Sequence, residues 1–201
     1  ASVNYAGGDS SIGRENSDCI TIMSVDDANV VAYKAGAKES AIATNATINW
    51  QISARFIGIT FFSTSTLYIA NQPNHIISMV KCTFGTVNSN RGMKARSESI
   101  LDLIDCVWQP QGATSCCFED CDGFVKIRNL TLSTATIQPT QYFADMRNTS
   151  SAVWDVDGID ISGAATTIDL LNNAFKANYP HQLVSGFRNV KLPSGGIITA
   201  D

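Results

Sequence analysis

Six segments of this chain fit one template, apolar-x-apolar-x-x-apolar-x-apolar. They begin at Ala54, Ile77, Leu101, Val125, Trp154 and Ser185, so successive copies start 23, 24, 24, 29 and 31 residues apart. Within a copy, alternation places residues i and i+2 on one face of a strand. The alternation then slips by one residue and resumes. Such a slip describes two short strands meeting at a tight bend, with both inner faces turned to one core. The bend falls at Gly58, Lys81, Asp105, Asn129, Gly158 and Asn189. Glycine and asparagine tolerate the left-handed backbone that a corner of this kind needs.

A further β-like patch precedes most copies: "TLYIA" at 66–70, "GMKAR" at 92–96, "SCCFE" at 115–119 and "QYFADM" at 141–146. Three short strands per repeat mark a parallel β-helix, a solenoid whose rungs stack ~4.8 Å apart. A leucine-rich repeat shares the period but needs an L-x-x-L-x-L ladder that is absent. The two longest spacings are absorbed by "STATIQPTQ" (133–141) and "LLNNAFKANYPH" (170–181), which read as projecting loops. Residues 1–50 fit the template poorly. "DCITIM" and "NVVAYK" read there as strands, and the rest as a cap on the open end of the coil. The expectation is one compact all-β domain: an N-terminal capping segment over 1–50 and a parallel β-helix over 51–201, with about six to seven rungs in all. Phe61, Phe84, Trp108, Leu132, Ile161 and Leu192 should stack as one inner ladder.

Bulk properties narrow the function. Of 201 residues 44% are hydrophobic and only 16% charged, with a net charge of −4 that argues against nucleic acid or an anionic membrane as partner. No run approaches the ~20 apolar residues of a membrane span. The chain opens Ala1-Ser2-Val3, which reads as a processed product or an excised fragment. Its cysteines (Cys19, Cys82, Cys106, Cys116, Cys117, Cys121) match no small-domain disulfide framework. Nor does Cys116-Cys117 with Cys121 make a zinc site, lacking a CxxC partner and a nearby histidine. They read as buried free thiols, which favours folding in a reducing compartment. Cys82 and Cys106 hold equivalent inward positions on adjacent rungs. No phosphate-binding loop and no Ser-His-Asp set is present, so no cofactor and no metal are expected.

The rung pattern over about residues 50–195 resembles the right-handed, pectin-lyase-like β-helix family. That resemblance implies a right-handed coil and a choice among polysaccharide lyases, polygalacturonases, and the receptor-binding spikes and fibres of tailed bacteriophages. The segment "VWDVDGIDISG" (153–163) is similar to the polygalacturonase motif Asn-Thr-Asp-Gly-Ile-Asp. Asp157, Gly158, Ile159 and Asp160 match it, and Val156 replaces the threonine. The resemblance makes Asp157 and Asp160 the candidate catalytic carboxylates, since glycoside hydrolysis needs an acid and a base. The family's Asp-Asp, Gly-His-Gly and Arg-Ile-Lys motifs are missing, and His75 and His181 sit in no such context. A lyase would need a calcium cluster, for which "FEDCDGF" offers Glu119, Asp120 and Asp122. Calcium takes 6–8 oxygens, and the same turn reads equally as a solvated corner.

The outward positions give a third reading. The residue before the corner is Ile57, Val80, Ile104, Arg128, Asp157 and Arg188 on successive rungs. Ile57, Val80 and Ile104 thus form an apolar stripe, read either as an oligomer interface or as a seat for residues 1–50. The next outward column is Arg55, Ser78, Asp102, Lys126, Asp155 and Gly186, with charges of alternating sign. Sequons at Asn45, Asn129 and Asn148 follow from the Asn/Thr-rich composition. The expected function is a virion structural or receptor-binding protein, a phage spike, fibre or surface knob. It would fold in the host cytoplasm, assemble as a homotrimer, and present a rigid surface to host glycan or neighbouring virion proteins. The alternative is a carbohydrate-active β-helix enzyme, a polysaccharide hydrolase or lyase.

Overall fold

The computed structural model describes residues 20–23, 40–44, 48–50, 52–63, 67–70, 73–86, 92–95, 98–110, 116–119, 121–133, 142–145, 151–164, 169–171 and 182–195. These residues form strands and turns, with no helix among them. The chain alternates between two sheets. It enters the first as β1 (Ile20–Met23) and β2 (Ser40–Thr44), crosses to the second as β3 (Ile48–Asn49), and returns as β4 (Ala54–Ile57) and β5 (Ile59–Ser63). The circuit repeats through β6 (Leu67–Ala70), then β7 (Ile76–Val80) and β8 (Thr83–Thr86). Afterwards the two halves of each visit to the first sheet fuse into one long strand. Thus β9 (Met93–Ala95) leads to β10 (Ile100–Trp108), and β11 (Phe118–Glu119) to β12 (Phe124–Leu132). In the same way β13 (Tyr142–Asp145) leads to β14 (Ser151–Asp160), and β15 (Asp169–Leu171) to β16 (Gln182–Lys191).

Each return lays a strand beside the one before it. The first sheet runs β1-β4-β7-β10-β12-β14-β16, and the second runs β15-β13-β11-β9-β6-β3. Every pairing between described strands is parallel. Consecutive parallel neighbours require a crossover, and here the crossover is the other sheet. The architecture is all-β and mostly parallel, consistent with a β-solenoid. Of the segment 1–50 read as a cap, β1, β2 and β3 pair in register with β4, β5 and β6. Apart from Trp50, the rest of that segment, both projecting loops (save Ser133 and Leu170–Leu171), Cys19, Asp120, Asn45, Asn148 and His181 lie outside the described residues.

The corner is where the sequence said it would be. Gly58 (φ 65°), Lys81 (53°), Asp105 (52°), Asn129 (60°), Gly158 (89°) and Asn189 (52°) all have positive φ. A second corner, not legible in the template, turns the second sheet into the first at Asn74 and Glu98, each with φ 63°. Asn74 donates its backbone N–H to the Glu98 carbonyl at 3.0 Å, so this corner also stacks.

The inward columns fill the space between the sheets. Phe61 pairs with Phe84, Phe84 with Trp108, and Trp108 with Leu132 in direct register. Phe61, Phe84, Trp108 and Ile161 are buried, whereas Leu132 and Leu192 are half-buried at the margin of the core. From the second sheet Leu67, Ile69, Met93, Phe118 and Phe143 are buried against them. Phe118 binds the two sheets together, with ring centroids 5.0 Å from Trp154 and 5.4 Å from Phe143 in edge-on geometry. Such pairs add ~0.5–1.5 kcal/mol beyond the area they bury.

Candidate functional site

Among the described residues the core takes most inward positions, and the candidate site residues lie on the outer face of the first sheet. Three columns cross it, each made of residues paired in register on adjacent strands. The first is Ile76, Ile100, Phe124 and Val153. Ile76 and Val153 are 49% and 41% exposed, two of the few large apolar side chains left open to solvent among the described residues. Ile100 and Phe124 between them are half-buried. This ridge was missed by the sequence template, which starts one residue later. Its signal was present all the same: each inward starting residue from Ile77 to Trp154 is preceded by another large apolar one.

The second column runs Arg55, Ser78, Asp102, Lys126, Asp155 and Gly186. Asp102 and Lys126 are register partners, yet among the described residues neither forms an ion pair with the other or with a third group. The Asp102 Oδ1 atom is buried and has no hydrogen-bond partner among the described residues.

The third column carries the apolar stripe anticipated from sequence. Ile57 pairs with Val80 and Val80 with Ile104, all half-buried, and the column continues into Arg128, Asp157 and Arg188. Here the charges satisfy one another. Arg128 reaches diagonally past its register partner Asp157, donating to Asp155 Oδ2 at 2.6 Å and to the Asp155 carbonyl at 3.1 Å. Arg188 meets Asp155 at 3.2 Å and Asp157 at 3.7 Å. The hydrogen bond from Arg128, more than any other contact, holds the Asp155 carboxyl below its ordinary 3.8.

The two candidate catalytic carboxylates lie on either side of the Gly158 corner, and neither stands alone. Asp157 accepts from the Asn189 side-chain amide at 2.7 Å in addition to its arginine. Asp160 accepts from the Ser162 hydroxyl at 2.6 Å and the Ser162 backbone N–H at 3.2 Å, and pairs with Lys191 at 3.1 Å. The Ser162 hydroxyl first, then Lys191, lower its affinity for a proton. A general acid for glycoside cleavage needs the opposite shift. Asp160 is built to stay ionised.

Of the acidic turn proposed for calcium, Glu119 is 6% exposed and paired with Lys94 at 3.1 Å, so it serves the packing of the second sheet. Among the described residues no group of three or more His, Cys, Asp or Glu is placed to hold a metal ion. Cys82, Cys106, Cys116, Cys117 and Cys121 are buried and take part in no disulfide. Burial pushes Cys82 up to about 11 and Cys106 to about 12, from an ordinary 9.0. Their S–H groups point at backbone carbonyls, Cys106 to Met79 at 3.2 Å and Cys121 to Met93 at 3.3 Å. These thiols are packing groups, not nucleophiles.

No family model, curated protein or solved structure matches the chain.

Proposed function

We propose that this chain is a structural, surface-presenting module of a virion, of the kind found in phage spikes, fibres or surface knobs. Its working part would be the outer face of the first sheet, offered to neighbouring virion proteins or to host glycan. The observation that carries this reading is the register of that face. Apolar columns on adjacent parallel strands form ridges that a lone soluble chain has little reason to expose. Backbone pairing on both sides holds every ridge residue but Ile76, which pairs with Ile100 on one side and donates its N–H to the Ser53 hydroxyl on the other, so the surface is preorganised for contact. The paired and hydrogen-bonded carboxylates at Asp157 and Asp160 favour presentation over hydrolysis. The finer architecture proposed with it is a right-handed parallel β-helix, as the rung pattern's resemblance implies.

The test uses the full chain and a panel of acidic bacterial polysaccharides. Binding without new reducing ends or unsaturated products is expected. Turnover that disappears in Asp157→Asn or Asp160→Asn would replace this reading with the carbohydrate-active one.

A further inference from the structure

We infer that two copies of this chain pair through the outer face of the first sheet, about a two-fold axis parallel to the strands and midway between β10 and β12. This deepens the reading above, resting on it only for the premise that this face is a contact surface, and it puts a two-fold dimer in place of the homotrimer that the resemblance leads one to expect. The inference comes from the arrangement of residues about that line. A two-fold operation along the strands keeps each residue's height and reverses strand order, so the β10 face meets the β12 face of the other copy. An isologous contact of this kind requires the patch to be complementary to itself.

The first column meets that requirement at every position described. Ile100 would face Phe124 of the partner subunit, and Ile76 would face Val153 of the partner subunit, so apolar meets apolar along the ridge. In the second column Asp102 would face Lys126 of the partner subunit, and Lys126 the partner's Asp102. Each of these residues lacks an ion pair among the described residues. A second copy supplies the missing ion pairs. Ser78 would face the partner's Asp155, a hydroxyl against a carboxylate.

The third column fails the same requirement. Val80 would face the partner's Asp157 and Ile104 the partner's Arg128, pairing apolar side chains with charged ones. It lies four residues further along the strands, ~13 Å from the first ridge. The Ile76–Val153 ridge therefore carries the apolar part of the contact, and the third column adds none.

The test is sedimentation of the full chain over a concentration series, with circular dichroism to verify that each variant folds. Wild type should sediment as a dimer. Asp102→Lys and Lys126→Asp should each weaken the dimer by at least about tenfold, because each places like charges opposite one another. The double variant Asp102→Lys/Lys126→Asp should recover most of that loss, and Val80→Lys should leave the dimer intact. A monomeric or trimeric wild type overturns the inference. So does a double variant as weak as its single parents, or dissociation by Val80→Lys alone. Polysaccharide binding is read separately, so this pairing and the presentation reading fail on different measurements.

Discussion

Gly158 shows how closely single residues are fitted at the corner. Its φ of 89° disfavours any side chain, and a Cβ there would lie 2.7 Å from Asn129 Oδ1. Asn129 cannot easily give way, because its amide donates to Asp105 Oδ1 at 2.9 Å on the preceding turn. Gly158→Ala should therefore cost ~1–3 kcal/mol, read by chemical denaturation. Lys81 adopts φ 53° with a full side chain, so Lys81→Gly removes the left-handed penalty there. A change within about 1 kcal/mol of neutral is expected, since glycine's added freedom when unfolded opposes the gain. In the core, Trp108 is fully buried and packs edge-on against Phe143 at 5.7 Å. Truncation to alanine leaves a large cavity and should cost ~3–5 kcal/mol. A loss under ~1 kcal/mol would contradict the placement of this ring between the sheets.

At the scale of strands, β12, β14 and β16 are laced together by charge, while β4, β7 and β10 are joined by apolar contacts. The two halves of the first sheet should respond differently to acid. Asp155 and Asp160 bind protons more weakly in the folded chain than their ordinary 3.8. Their stabilisation is thus complete above that value and is lost as pH falls through their lower folded values. Below pH 4, hydrogen exchange should rise first in β14 and β16, and uniform loss of protection across the sheet would contradict this. Much of this sheet was legible in the sequence, because a period of two with one fixed slip recurs over long strands. All six corner residues followed from it. The first apolar ridge escaped because the template was anchored on Ile77 and its equivalents, so Ile76 and its equivalents fell outside the frame. The diagonal reach of Arg128 to Asp155 could not be read either, since register alone pairs Arg128 with Asp157. The second sheet was located only as patches, its strands being too short for alternation to fix a register.

For the molecule as a whole, the thiols and the outer face set its behaviour in solution. Cys82 and Cys106 titrate far above an ordinary 9.0 in the folded chain. The native state then holds protons that the unfolded state releases, so stability is intact below pH 9 and falls as pH rises through the folded values. The slope should approach about 1.4 kcal/mol per pH unit for each buried thiol that titrates only on unfolding. Denaturation at pH 8 and pH 10 would show it, and equal midpoints would count against buried, protonated sulfurs. The outer face carries the larger claim, that its first ridge is where one copy meets another. Within one chain Ile76 and Val153 lie three strand spacings apart, ~14 Å, too far for a nuclear Overhauser effect between their methyl groups. A methyl-labelled sample in which Ile76 and Val153 nevertheless show such an effect is the predicted result, because the two-fold pairing brings them face to face between copies. Its absence at concentrations where the protein is associated, or effects running instead from another copy to Ile57, Val80 and Ile104, would contradict it.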